Sequence, residues 1–266
     1  MSKEQIEKLS GLVVVTGASS GIGLELAKLA AKDGCELILA ADTDFAEAEA
    51  ATRAAGASSV TCVQGDLAGR EGIEKLTAAI GGRPVDVLMA NAGHGQGKAF
   101  LDQQWGEIAH VIHTNITGTV ALIHRVGQGM RTAGRGRILV TGSIAGHLPG
   151  AFQLVYNSTK AFIDDFCVGL AEELKDTDIV ITNLMPGVTD TEFFERAEMM
   201  DTRAGQQKNK ADPADVAKDG YDALLSGRTQ VTSGFMNKVQ RVFADILPDG
   251  LVAQMHRRLA EPGRGR

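Results

Sequence analysis

One junction constrains this chain more than any other: the short β-branched run Leu12–Thr16 ends in Thr16-Gly17-Ala18-Ser19-Ser20-Gly21-Ile22-Gly23. The next stretch, Ile22–Lys32, carries Ile22, Leu26, Leu29 and Ala30 at helical spacing. A strand, a tight glycine turn and a helix form the opening unit of a parallel βαβ sheet. Gly17, Gly21 and Gly23 allow the backbone a sharp turn and a close approach to a ligand. The helix N-terminus behind them offers free N–H groups and a dipole that favours an anion such as pyrophosphate, with Ser19, Ser20 and Ile22 beside it. The spacing is Gly-x-x-x-Gly-x-Gly. Alone it reads equally as a plain strand-to-helix turn.

The pattern then repeats. Leu37–Ala41, Val60–Val63, Val85–Ala90, Arg137–Thr141 and Ile179–Leu184 read as strands. Phe45–Ala55, Glu71–Ile80, a long region from about Asp102 to Thr132, and Gln153–Lys175 read as helices. Strands apolar throughout, each followed by a helix, indicate a parallel sheet covered on both faces. The fold class is α/β, a doubly wound Rossmann-type sheet. The 266 residues suit one domain, with residues 1–10 as an N-terminal extension. A formal net charge of −6 argues against nucleic acid as a partner. The N-terminus reads as no signal peptide, and no apolar run approaches a transmembrane helix. Cys35, Cys62 and Cys167 show neither disulfide nor zinc spacing. These features point to a cytoplasmic protein.

In such sheets ligands bind at the carboxyl ends of the strands, so the residues there are the candidates. Asp42 follows the second strand. Its carboxylate suits the ribose hydroxyls of NAD and opposes a 2′-phosphate, and no Arg or Lys is near in sequence; it also reads as a helix cap. This favours NAD over NADP. Asp66-Leu67 follows the third strand, flanking an adenine or forming a turn. Asn91-Ala92-Gly93 follows the fourth, leaving room for a ribose. Ser143 follows the fifth, placed to bond a substrate oxygen. Pro186-Gly187-Val188, with Thr191, follows the sixth. Tyr156 and Lys160 begin the long helix at i, i+4, which puts them on one face. Free tyrosine titrates near pH ~10, and a nearby ammonium lowers that. Such a tyrosine exchanges a proton with an alcohol or a forming alkoxide. The pair by itself is a common chance pattern.

Taken in order, Thr16-Gly17-x-x-x-Gly21-Ile22-Gly23, Asp66, Asn91-Ala92-Gly93, Asn115, Ser143, Tyr156-x-x-x-Lys160 and Pro186-Gly187 resemble the short-chain dehydrogenase/reductase family over residues 11–235. The resemblance implies a nicotinamide-dependent oxidoreductase acting on an alcohol/ketone pair. Ser143 would orient the substrate oxygen and Tyr156 would be the acid/base. Lys160 would bond the nicotinamide ribose and lower the tyrosine pKa. Asn115 would hold a water joining Lys160 to solvent, and Val188 and Thr191 would contact the nicotinamide amide and a phosphate. It also implies a homodimer or homotetramer. The chain departs from the family pattern at Ala90, where a second asparagine is usual, and at Ala41, where the NAD-type aspartate usually stands one residue before Asp42.

Beyond Thr191, Phe193, Phe194, Met199 and Met200 precede a polar stretch, Thr202–Lys210. Residues 191–212 read either as a lid over an apolar small-molecule substrate or as ordinary packing. His94, His147, Leu148 and Phe152 follow strand ends and are candidates to line the pocket. Residues 235–260 read as two amphipathic helices broken at Pro248: Phe235, Val239, Val242, Phe243, Ile246 and Leu247, then Leu251, Val252, Met255 and Leu259. Core or oligomer packing is the expectation; pocket closure and a membrane surface are the alternatives. A non-catalytic NAD(P)-binding sensor or scaffold is the competing functional reading.

Overall fold

The computed structural model describes residues 5–265, with the side chain of Asp245 excepted; residues 1–4 of the N-terminal extension lie outside the described residues. The strands are β1 (Leu12–Thr16), β2 (Glu36–Ala41), β3 (Ser59–Gln64), β4 (Val87–Ala90), β5 (Arg135–Thr141), β6 (Asp178–Met185) and β7 (Gln230–Thr232). They form one sheet in the order β3-β2-β1-β4-β5-β6-β7, every neighbouring pair parallel. The order reverses between β1 and β4, which opens a crevice at their carboxyl ends.

Two cores flank the sheet. Alternation along β1 sends Val13 and Val15 to one face and Leu12 and Val14 to the other. The first face is covered by α1 (Gly21–Lys32), α2 (Ala46–Ala55) and α8 (Pro213–Leu225). The second is covered by α3 (Arg70–Ile80), α5 (Thr119–Ala133) and α6 (Leu154–Glu173). Each fully buried Val, Leu or Ile contributes roughly 1.5–3 kcal/mol, so β1, buried at all five positions, anchors the sheet and the glycine turn that follows it.

The long helix expected from Asp102 to Thr132 is built in pieces. A 3-10 turn (Phe100–Asp102) precedes α4 (Trp105–Ile112), and a π-helical segment, His113–Gly118, joins α4 to α5. At Gly118 a Cβ would sit 2.4 Å from the Leu67 carbonyl oxygen. Only glycine lets the helix pass this close to the β3–α3 turn.

The short helix α7 (Phe193–Arg196) lies in the 191–212 segment. The base of that segment is pinned by backbone bonds from Asp190 to Ala211 and from Ala211 to Val188, each 2.9 Å. The C-terminal pair, α9 (Phe235–Ile246) and α10 (Asp249–Ala260), divides in a way the sequence did not suggest. Helix α10 buries Val252, His256 and Ala260. Helix α9 turns Asn237 and Arg241 inward: Asn237 donates to Ser233 O, and Arg241 donates to Thr232 and Gln230. Phe235, Met236, Val242, Phe243 and Ile246 face outward. Part of α10 therefore packs into the protein, whereas the apolar face of α9 is exposed on the chain. Among the described residues no helix is long and apolar enough to cross a membrane.

Candidate active site

A single cavity of about 280 Å³ runs along the crevice from Asp42 and Asp66 to Tyr156. The glycine turn forms its floor. Gly17 (φ 62°) and Gly21 (φ 55°) hold left-handed conformations that favour glycine, and a Cβ on Gly23 would fall 2.0 Å from the Gly17 carbonyl oxygen. Gly23 thus shapes the turn from behind, while Ser19, Ser20, Gly21 and Ile22 face the cavity. Helix α1 starts here with no side-chain cap and no acid in its first turn. Its first N–H groups are left for a ligand oxygen, which suits the pyrophosphate of a dinucleotide.

Thr16 and Asn91 stitch the crevice together. The Thr16 hydroxyl accepts from the backbone N–H groups of Asn91 and Ala92, both at 3.0 Å. Asn91 donates to Gly17 O at 3.3 Å and accepts from the Thr141 hydroxyl at 2.9 Å. Asn91 therefore locks β1, β4 and β5 in register, and the second asparagine of the family pattern, here Ala90, is simply a buried strand residue.

Asp42 is exposed at the β2 end of the crevice, as its place after β2 requires. The fold brings it a cation that sequence neighbours lack. Arg196 of α7 lies 3.9 Å from Asp42 and 2.6 Å from Glu192, which in turn accepts from Ser20 at 3.4 Å. Asp66 accepts from Ala68 N–H and sits 3.2 Å from His110; with Leu67 it borders the same end.

At the other end lie Tyr156, Lys160 and Ser143. The 3-10 turn Ile144–His147 begins at Ser143, whose hydroxyl accepts from Ala145 N–H at 3.1 Å. Lys160 is buried and donates to Thr141 O at 2.7 Å, with its ammonium 5.8 Å from the Tyr156 ring centre. Burial pushes Lys160 down to about 8, against the pull of Asp164. Burial pushes the Tyr156 phenol up to about 12, and a hydrogen bond with Ser143 draws it back. Tyr156 still presents part of its surface to the cavity.

Asn115 sits in the π-helical segment, a distortion frequent at functional sites. Its amide accepts from His94 N–H at 2.8 Å and donates to His94 O and to the Thr159 hydroxyl, both at 2.9 Å. Between it and the lysine lies Gly93, where a Cβ would be 3.4 Å from Lys160 Nζ and 3.5 Å from Asn115 Oδ1. Pro186, Gly187, Val188 and Thr191 border the cavity, and Thr191 packs on Gly21.

The 191–212 segment borders the cavity beside Tyr156. Phe193 lies 5.0 Å from the Tyr156 ring. Phe194, Ala197, Met199 and Ala260 form a small core with Phe152 and Val188, while Met200 is exposed. Glycines make this possible: a Cβ at Gly95 would strike Phe193, and one at Gly97 would strike Met199. His94 and Leu148 line the cavity as expected. His147 and Phe152 do not: His147 faces Asp164, and Phe152, at φ 67°, packs against the cluster of Phe194, Ala197, Met199 and Ala260. From the C-terminus, Gln240, His256, Leu259 and Ala260 also reach the cavity. Sequence reasoning missed Arg196, Asp164 and Asn183. The signal for the last was a polar side chain inside the apolar strand Ile179–Leu184.

A family model described as short chain dehydrogenase matches residues 11–201. The very-long-chain 3-oxoacyl-CoA reductase of Laccaria bicolor is 32% identical over 183 residues, 66% of this chain and 54% of that protein, so the chain spans about half of that relative's length. An uncharacterized oxidoreductase of Myxococcus xanthus is 30% identical over 252 residues, covering 92% of this chain and 96% of that one. Two solved structures share the fold. A short-chain dehydrogenase from Sphingobium yanoikuyae in complex with NADPH has a TM-score of 0.77 at 24% identity, covering 90% of this chain and 96% of that one. A short chain dehydrogenase/reductase from Burkholderia phymatum in complex with NAD has a TM-score of 0.79 at 23% identity, covering 90% and 94%.

Proposed function

The chain belongs to the short-chain dehydrogenase/reductase family, and from that premise we propose how its residues divide the work. It is an NAD(P)-dependent oxidoreductase acting on CH–OH groups. When bound, the nicotinamide supplies or accepts the hydride. Tyr156 gives its phenolic proton to the oxygen of the forming alcohol, or takes it back in the oxidative direction. Ser143 holds that oxygen by a hydrogen bond and orients it. Lys160, held by Thr141 O, bonds the nicotinamide ribose and stabilises the Tyr156 phenolate. The gap left by Gly93 between Lys160 and Asn115 supports the reading that Asn115 helps hold a water for proton return.

The glycine turn, with Ser19, Ser20, Ile22 and Thr191, takes the pyrophosphate. Asn91, Ala92 and Gly93 border the ribose, Asp66 and Leu67 the adenine, and Pro186, Gly187 and Val188 the nicotinamide. NAD is the preferred cofactor on this reading. Asp42 presents a carboxylate to the adenosine ribose, and Arg196 is engaged by Glu192 and Asp42, which leaves it poorly placed for a 2′-phosphate. Leu148, Val188, Phe193 and Leu259 support an apolar alcohol or ketone as the small-molecule substrate. The free thiols of Cys35, Cys62 and Cys167 fit the reducing cytoplasm. The outward apolar residues of α9 fit a homodimer or homotetramer. A non-catalytic binding role is not favoured.

The observation that carries this reading is the convergence of Tyr156, Lys160 and Ser143 at one end of a cavity whose floor is the glycine turn. Parallel calorimetry with NAD and NADP, followed by a panel of apolar ketones and alcohols, tests it. Tighter binding of NADP would refute the reading of Asp42. Tight binding of both without turnover of any panel member would refute the catalytic reading.

A further inference from the structure

Asp164 lies on α6 one turn beyond Lys160 and two turns beyond Tyr156, and none of the chemistry above uses it. Burying a carboxylate is costly unless something holds it, yet Asp164 is only 6% exposed. Its Oδ1 accepts from the Asn183 side chain of β6 at 2.8 Å, the Ser143 backbone N–H favours its charged form, and among the described residues Oδ2 has no hydrogen-bond partner. The loop leaving β5 closes around it. A Cβ at Gly142 would fall 2.0 Å from Oδ1, and one at Gly146 would fall 2.4 Å from Oδ2. Those two glycines bracket Ser143, so the loop that presents the serine is wrapped on this carboxylate.

The charges around it are few. Lys160 and Tyr156 precede it on α6, and Cys167 follows, kept as a thiol because burial pushes it up to about 12. His147 faces it from the 3-10 turn, and β6 contributes the uncharged Asn183. Asp164 is the carboxylate whose charge offsets the burial of Lys160.

We propose that Asp164 is a positioning residue for the reaction: its carboxylate fixes the Gly142–Gly146 loop that aims Ser143, and serves as the counter-ion that keeps Lys160 charged. This rests on the roles assigned above to Ser143, Tyr156 and Lys160. In carbonyl reduction the loss of the carboxylate acts in one direction, because Asp164 raises the proton affinity of both Lys160 and Tyr156. Without it both groups release their protons at lower pH.

The test is Asp164→Asn, which keeps the shape and removes the charge. Competitive acetylation of the cofactor-free protein with acetic anhydride, read by peptide mass spectrometry, gives the Lys160 titration midpoint without any substrate. The expected result is a fall from about 8 by roughly one pH unit, together with a tenfold or larger loss of kcat and little change in cofactor Kd, where about 1.4 kcal/mol corresponds to each factor of ten. An unchanged midpoint overturns the proposal. Should Asp164→Asn fail to fold, hydrogen exchange of the wild-type loop 142–146 decides. Corrected for intrinsic rate, it must rise as pH falls through about 6, where the buried Asp164 takes up a proton, and must still do so in His147→Gln. Unchanged exchange overturns it. An unmoved Lys160 midpoint beside a dead Tyr156→Phe enzyme sinks only this inference, whereas an active Tyr156→Phe enzyme sinks the catalytic reading beneath it.

Discussion

The Lys160 ammonium lies 5.8 Å from the centre of the Tyr156 ring, one turn along the same helix, and is tied down by the Thr141 carbonyl at 2.7 Å. The same burial acts on the two groups in opposite senses. It favours the neutral form of each, lowering Lys160 to about 8 and raising Tyr156 to about 12. At neutral pH the pair is a charged amine beside an intact phenol, the state needed to give a proton to a carbonyl oxygen. As pH rises through about 8 the amine loses its charge first. kcat/KM for reduction, which reports the free enzyme, is therefore level between about 6, below which Asp164 is protonated, and about 8, and falls above that value. In Lys160→Met the limb near 8 disappears and activity is low throughout. A wild-type profile still flat at pH ~10, where an unperturbed lysine would titrate, contradicts the assignment.

The glycine turn predicts a contrast between two substitutions. In Gly23→Ala the new methyl meets the Gly17 carbonyl at 2.0 Å, which deforms the turn, and calorimetry should register no cofactor binding. Gly129, in the interior of α5, has nothing within 4 Å of a Cβ. Gly129→Ala should raise stability by about 1 kcal/mol and leave cofactor affinity alone. Equal effects from the two would mean that the turn is not what holds the dinucleotide.

Cofactor preference should respond to the Asp42–Arg196 pair. Asp42→Ala removes the carboxylate that opposes a 2′-phosphate and frees Arg196 to meet one. The ratio of NADP to NAD affinity should rise by about tenfold, equivalent to roughly 1.4 kcal/mol. Asp42→Ala combined with Arg196→Ala should lose most of that gain. A ratio that ignores Arg196 would leave the pair as surface electrostatics.

Phe193 lies 5.0 Å from the Tyr156 ring and belongs to the covering segment rather than to the sheet. Phe193→Ala should raise KM for apolar ketones with a smaller effect on kcat, because it removes binding surface and leaves the proton donor in place. A loss confined to kcat would mean that Phe193 orients Tyr156 instead.

Much of this was legible in the chain because the informative residues sit where strands end. β1 and its glycine turn, Asn91-Ala92-Gly93, Ser143 and the Tyr156/Lys160 spacing are local patterns, and the sheet assembles them around one cavity. What escaped was set by tertiary packing. Strand β7 is three residues long and has no period of its own. The π segment around Asn115 answers to the close passage of Gly118 over Leu67, which local propensity does not encode. Arg196 is far from Asp42 in sequence and meets it only because α7 folds back over the crevice. Helix α9 was recognisable as amphipathic, but amphipathicity does not say which face meets the protein. Here Asn237 and Arg241 do.

The most direct test is Tyr156→Phe, which removes one oxygen and leaves the ring packed on Phe193. General acid catalysis is typically worth ~10²–10⁴ in rate, so turnover should fall by at least about a hundredfold while cofactor Kd stays within about threefold of wild type. Undiminished turnover with intact cofactor binding would contradict the assignment of Tyr156 as the proton donor.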